Sequence, residues 1–463
     1  MKRTSCCGPL TSSGAAEAAA DLTPPPIILD DMLENGQGVG RIGGLVAFVT
    51  GGLPGETVKV AVDQRKRNYV SGHVAAIERR SADRVTPGCA VFPRCGGCQT
   101  LHYRRAAELA WKKRLVANAL TRIGGLMNVP VDDAVCAQDD PEDGYRNKVS
   151  LVVRGGEDGV RLGFFEARSH NVVAIKRCPV LLPRLNAAVE CIVKLARENP
   201  ALFAGLRHVV ARASATCADL VVSLNGLARN PELERRAGAT AARIPGLTGL
   251  VANWEPQGAN AIFGRRWAVL WGSSITSEII DGLRLSAGIS SFFQINTAIL
   301  QRIVERMTAL AAGAGRVVDL YCGVGTFAIV LGKRGMPGTG VESYAPAVEE
   351  AMANAAQNGI TCAAFERADV ARALAGPRGD SLLQGAGIAI LDPPRKGCEP
   401  QVLSALGKHR VRAIAYLSCN PATLARDAKM LAANGYKLVR ATPFDMFPGT
   451  GHVEVLGEFR LDG

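Results

Sequence analysis

No run of about 18 or more apolar residues occurs in this chain, so the length that a membrane-spanning helix needs is missing. A convincing secretory signal is missing too, and so is any internal repeat. Without a signal, thirteen cysteines in 463 residues do not read as a disulfide scaffold, an economy confined to short secreted domains. These absences favour a reducing cytoplasm, where clustered cysteines bind metal or do chemistry. Nothing calls for an obligate protein partner.

What is present is length and positive charge. The chain outgrows one compact core, so two or three globular domains are expected. Of a formal net charge of +12, residues 59–122 supply +10, with fourteen Lys/Arg against four Asp/Glu. One segment that meets a polyanion, beside a nearly neutral remainder, suits an RNA or DNA partner. A solvated basic face would leave the same signature.

Residues 1–26 mix Ala, Ser, Thr and Pro and read as a flexible tail. From 27 to 80, short apolar runs (46–50, 58–62, 69–75) alternate with glycine-rich turns, the pattern of a small all-β barrel. Its basic tip is Arg65-Lys66-Arg67-Asn68-Tyr69, three cations beside a ring, suited to phosphates and a stacked base. Apolar residues Leu109, Trp111, Leu115, Val116 and Leu120 give residues 106–122 a helical period. Strand-like and helical runs then alternate through 145–290 in an order whose topology periodicity does not fix. From about 298 on, strands and helices alternate regularly, as in a parallel sheet covered on both faces.

Three strand ends in that last region carry chemistry. The first, Arg316-Val-Val-Asp-Leu-Tyr-Cys-Gly323-Val-Gly325-Thr-Phe, leads through two glycines into a helix. The next strand closes on Glu342, about twenty residues downstream, where a carboxylate can accept ribose hydroxyls. A dinucleotide enzyme shares this logic, but the third glycine of its fingerprint is lacking, which favours S-adenosylmethionine (SAM). The second end is Asp392-Pro-Pro-Arg-Lys-Gly397, where paired prolines stiffen the backbone behind a carboxylate. The third is Ser418-Cys419-Asn420-Pro421. Open parallel sheets bind ligands outside the carboxyl ends of their strands, so all three belong to one site.

These segments, with Phe292-Phe-Gln294-Ile-Asn296 and Gly451-His-Val-Glu454, together resemble the RNA 5-methyluridine methyltransferases in both order and spacing. Gly38-Val-Gly-Arg-Ile-Gly-Gly44, Phe48-Val and Leu53-Pro-Gly-Glu56 resemble the TRAM domain, an RNA-binding barrel. The resemblance implies a multidomain α/β chain: a TRAM β-barrel, OB-like, over 27–80, a central α+β domain with an iron-sulfur cluster over 81–290, and a class I SAM-dependent methyltransferase domain, Rossmann-like, over 291–463. The helix 106–122 is expected on the catalytic domain. The subgroup with both a TRAM domain and a cluster resembles the bacterial 23S ribosomal RNA enzymes, and related architectures act on transfer RNA. Ribosomal RNA is therefore the expected partner and transfer RNA the alternative; an RNA-binding or assembly factor that keeps the fold without catalysis is the rival reading.

Cys89, Cys95 and Cys98 form C-x5-C-G-G-C, and Cys178 stands where the family has its fourth ligand. Four thiolates suit a [4Fe-4S] cluster or zinc equally on chemical grounds, and the resemblance selects the cluster. The resemblance also implies the site roles. Cys419 adds to C6 of uracil, C5 then takes the methyl group of SAM, and Glu454 removes the C5 proton. Asp392 accepts the uracil N3–H and Phe292 packs on the base. Gln294, Tyr321, Gly323, Gly325, Glu342, Asp369 and Asp392 are expected around the cofactor. Arg65, Lys66 and Arg67 are expected on RNA.

Overall fold

The computed structural model describes residues 24–137, 140–156, 159–258 and 260–462. Of the tail expected over 1–26, residues 1–23 lie outside the described part. Contacts separate two compact units, one running through 33 and 37–82, the other holding 34–36 and everything from 83 on. Among the described residues no helix is long and apolar enough to cross a membrane.

The first unit is a curled six-stranded sheet in the order Ile27–Ile28, Thr57–Arg65, Tyr69–Arg79, Leu45–Thr50, Gln37–Ile42, Asp31–Met32. The two edge strands are neighbours in sequence, and the link between them bonds both sides: Leu29 N–H donates to Glu56 O and Asp30 N–H to Val39 O. The curl wraps a core of Leu29, Val49, Val58, Val60 and Val70, each at most 1% exposed. Glu56 is buried in the turn after Leu53, where its Oε2 accepts the Leu53 N–H at 2.9 Å.

In the second unit a mixed seven-stranded sheet runs in the order Gly264–Gly272, Gly249–Pro256, Leu220–Gly226, Leu206–Ala213, Lys148–Gly156, Gly159–Phe165, Val172–Ala174. Only Leu220–Gly226 and Gly249–Pro256 pair in parallel. Helix Pro183–Glu198 covers one face with Leu185, Val189 and Ile192, packed with Val209, Val222 and Leu250. The other face carries a smaller cluster, Val210, Val221 and Val251 with Ile289.

A second seven-stranded sheet carries the three strand ends. Its strands are β1 (Arg316–Leu320), β2 (Gly338–Glu342), β3 (Ala363–Arg367), β4 (Ala386–Leu391), β5 (Ala413–Ser418), β6 (Tyr436–Phe444) and β7 (Glu454–Leu461), in the spatial order β3-β2-β1-β4-β5-β7-β6. The first five are parallel, and β7 is antiparallel to both its neighbours. Every residue of β4 and β5 is buried, as a parallel sheet covered on two faces requires. One face packs helix Thr297–Ala311 and the hairpin of Ile275–Ile280 with Leu283–Gly288, through Ile280, Leu285, Ile303 and Met307. The other packs helix Arg105–Arg122, whose Val116 and Leu120 join Leu424 and Leu431 of helix Pro421–Ala433.

Candidate active site

The loop after β1 turns on three left-handed residues, Tyr321 (φ 66°), Gly323 (φ 53°) and Gly325 (φ 83°). A Cβ on Gly325 would sit 2.8 Å from the Phe365 ring, so glycine is needed there for space as well as for φ. Gly323 N–H donates to Glu342 Oε2 at 3.2 Å, while Oε1 accepts the Ser343 and Tyr344 N–H groups at 2.6 and 2.7 Å. Glu342 is thereby fixed beside the glycine turn. Beneath it, the fully buried Asp319 accepts Ala328 N–H at 3.1 Å, and burial pushes its carboxyl up to about 8. Tyr321 donates to Glu399 at 3.3 Å. Asp369 is exposed and its Oδ1 caps the short helix Val370–Ala373 through Arg372 N–H.

The segment before helix Thr297–Ala311 is gripped from the central sheet. Arg212, buried, donates from Nη1 to Gly288 O at 2.9 Å and from Nη2 to Ser291 O at 2.7 Å. Lys148 Nζ donates to Ile289 O at 3.1 Å, and Asn147 Nδ2 to Gln294 O at 3.1 Å. Burial, with Arg212 and Arg146 close by, brings the Lys148 ammonium down to about 7. Gln294 is buried, whereas Phe292 stands 65% exposed. Phe292 shares a cleft of about 610 Å³ with Gly323, Glu342 and Tyr344.

The placement of Cys419 and Glu454 follows from strand direction. Ser418 at the end of β5 is paired with Val455 of the antiparallel β7. One step outward from that rung stand Cys419 and Glu454. Glu454 is 4% exposed, its Oε2 has no hydrogen-bond partner among the described residues, and burial followed by the nearby Asp392 pushes its carboxyl up to about 8. Burial and Glu342 raise Asp392 to about 7. Cys419 is raised to about 11 by burial, then by Glu454, with Arg395 acting in the opposite sense. These five groups therefore sense one another within a single site.

Two buried networks hold its loops. Asp427 accepts Tyr416 Oη at 2.7 Å and Cys398 N–H at 3.0 Å on the same oxygen. Thr423 Oγ1 donates to Arg395 O at 3.1 Å and Arg426 to Lys396 O at 2.8 Å, so helix Pro421–Ala433, which begins just after Cys419, also anchors the loop after Asp392. On the other side, Glu108 Oε1 accepts Gly449 N–H at 3.0 Å and Lys112 Nζ donates to Phe447 O at 3.1 Å, fixing the loop that leads to Glu454.

Cys89, Cys95, Cys98 and Cys178 line one cavity of about 170 Å³ with Phe92, Leu101 and Arg146. Among the described residues no three His, Cys, Asp or Glu side chains are gathered as an ion's ligands. Burial raises the thiols of Cys95, Cys98 and Cys178, the last to about 11, and the neighbouring sulfurs add to the effect. Three such thiols become thiolates together only if something cationic sits between them, which fits a metal group. In the first unit, Arg65, Lys66 and Arg67 are exposed at the turn between Thr57–Arg65 and Tyr69–Arg79.

The family profile for tRNA (uracil-5-)-methyltransferase matches residues 284–458, and that for the TRAM domain matches 27–75. An uncharacterized RNA methyltransferase of Thermosynechococcus vestitus is 36% identical over 437 residues, 92% of this chain and 96% of its own. Another, from Listeria innocua, is 32% identical over 439 residues, 93% of this chain and 96% of its own. The chain belongs to the RNA uracil-C5 methyltransferase family. Among solved structures, the Pyrococcus abyssi tRNA (uracil-54, C5)-methyltransferase in complex with S-adenosyl-L-homocysteine is similar at a TM-score of 0.73 and 26% identity, over 94% of this chain and all of that one. This methyltransferase uses SAM as its methyl donor. Several groups around the methyltransferase's site carried no signal in the sequence. Arg395 was visible only as part of a loop, and Arg212, Lys148 and Asn147 lie far from any motif.

Proposed function

We propose that this chain methylates C5 of a uridine in structured RNA through a covalent adduct of Cys419. The observation that carries the reading is the β5–β7 rung that leaves Cys419 and Glu454 side by side. C5 of uracil is a weak nucleophile, and adding the Cys419 thiolate at C6 pushes an electron pair onto C5. A thiolate forms more easily beside neutral carboxyls than charged ones, and at about 8 Glu454 is mostly neutral at neutral pH, while Asp392 at about 7 is charged only part of the time; Arg395 also favours it. The thiol proton leaves to solvent. Bound at the glycine turn, SAM supplies an electrophilic methyl group. Glu454, its own proton first lost to solvent, then takes the C5 proton, the C5=C6 bond re-forms, and Cys419 leaves as thiolate. Asp392 is read as the acceptor of uracil N3–H, and Gln294, Tyr321, Glu342 and Asp369 as contacts to SAM.

The four-cysteine cavity is read as the seat of a [4Fe-4S] cluster. Its room exceeds the roughly 10–15 Å³ that one water-sized probe takes, which suits a cluster better than a lone zinc ion. Closed by four thiolates, such a cluster would hold structure or position RNA. For the RNA itself, 23S ribosomal RNA in the cytoplasm is the proposed substrate. The likeness to the Pyrococcus abyssi enzyme, named for transfer RNA, favours a second reading of transfer RNA. Nucleoside mass spectrometry of both RNAs from cells lacking the gene decides between them. RNA with 5-fluorouridine at the mapped position should form a covalent adduct with the parental enzyme, and absence of the adduct would overturn the mechanism.

A further inference from the structure

The large cleft beside the glycine turn has a wall that the methyl-transfer chemistry does not use. Arg265 and Trp267 of the edge strand Gly264–Gly272 of the central sheet, and Phe263 just before it, line the cleft together with Phe292, Glu342 and Tyr344. Trp267 pairs with Asn253 and Val269 with Val251, so Trp267 projects on the sheet face that no helix of the central core covers. The Phe263 and Trp267 rings lie 5.3 Å apart at 33°. Trp267 is 37% exposed, Tyr344 43% and Phe292 65%. Apolar rings gathered in water around one cleft mark a binding surface. Arg265 has no carboxylate partner among the described residues, whereas the adjacent Arg266, on the other face of the strand, is paired with Glu255 at 3.4 Å.

We infer that this wall seats unpaired RNA nucleotides flanking the methylated uridine, with Phe263 and Trp267 stacking bases and Arg265 holding a phosphate. The inference rests on the proposed function for the nature of the substrate. A uridine that enters the site leaves its stack, and its neighbours lose a stacking partner at a cost of a few kcal/mol. Aromatic faces along the approach restore that contact whatever the base, and a cation between them tracks the backbone. The surface thus commits the enzyme to loops and single strands. A continuous duplex offers it no free base face.

The test uses fluorescently labelled decauridine RNA and, separately, S-adenosylhomocysteine titrated calorimetrically into the full-length protein. Trp267→Ala and Arg265→Ala should each weaken decauridine binding about tenfold. Trp267→Phe should restore most of the loss, and the affinity for S-adenosylhomocysteine should stay at the parental value in all three. Weaker S-adenosylhomocysteine binding with unchanged RNA binding would assign the wall to the cofactor and overturn the inference. Unchanged binding of both would overturn it as well. Decauridine is bound without being methylated at a special position. A parental protein that binds it through Trp267 yet yields no 5-methyluridine in cells would therefore refute the reaction and leave this seat standing.

Discussion

Lys112 Nζ lies 2.5 Å from Asp445 Oδ1, and neither side chain is exposed, although 333 positions separate them. Glu108 and Arg105 complete the group, Arg105 with bonds to both carboxylates. Helix Arg105–Arg122, outside the methyltransferase core in sequence, is thus locked onto the loop that delivers Glu454. Truncating one member of a buried ion network leaves its partners charged and unpaired, usually at about 3–5 kcal/mol. Lys112→Ala is expected to lower the melting temperature markedly, and Lys112→Met with Asp445→Leu to recover part of the loss. Calorimetric melts at neutral pH check both.

This network also shows where sequence reading stops. Residues 59–122 hold fourteen cations, and their density suggested a surface for a polyanion. Lys112 and Arg105 are instead turned inward, because two carboxylates and a loop carbonyl wait for them. A charge count knows nothing of partners hundreds of residues away. The barrel strands and the alternating strands and helices after 298 were legible, since each depends on local period and turn residues. The order of the central sheet was not. Leu220–Gly226 is buried at every position, so it lacks the alternation that would reveal a face, and its neighbours come from distant segments. In the site, Cys419, Glu454, Asp392 and Glu342 stood out because glycine and proline mark their loops. Arg212, reaching backbone carbonyls from an ordinary strand, had no such marker.

Replacing the proton acceptor should separate the two halves of the reaction. Glu454→Gln keeps the shape of the site and removes the base, so addition of Cys419 proceeds while its release stalls. Turnover is expected to fall by about 10²–10⁴. With ordinary uridine RNA, a covalent complex that survives denaturing electrophoresis should build up in Glu454→Gln and be absent in Cys419→Ala.

The pH profile follows from the same carboxyl. Glu454 is raised to about 8, so the fraction in the ionised, proton-accepting form grows as pH climbs through that value. Cys419, raised to about 11, changes in the same sense. kcat is expected to increase steadily from pH 6 to pH 9, and a profile flat across that range would contradict the assignment.

Asp319 supplies a stability test of the opposite sign. Its folded pKa, pushed up to about 8, exceeds that of an unfolded aspartate, so folding favours its protonated form. The protein carries no penalty from it below about pH 4 and a growing one as pH rises toward 8. Asp319→Asn, able to keep the bond from Ala328 N–H, should raise the melting temperature of the cofactor-free protein by several degrees at pH 9, and by much less at pH 5.

Cys98, whose thiol burial raises, tests the proposed cluster. The parental protein purified without oxygen should be brown and carry iron and acid-labile sulfide, and Cys98→Ser should lose all three together. Zinc in the parental protein, with no sulfide, would correct the cluster to a single ion.

Since β7 runs against β5, the distance between Cys419 and Glu454, the proposed attacking sulfur and proton acceptor, is set by hydrogen-bonded main chain, a ruler that side-chain exchange barely touches. Sliding the strand by one residue would turn the carboxylate to the far face. The walls that choose an RNA can therefore drift while the chemical step keeps its dimensions, and one reaction centre can be fitted to new hosts without being rebuilt.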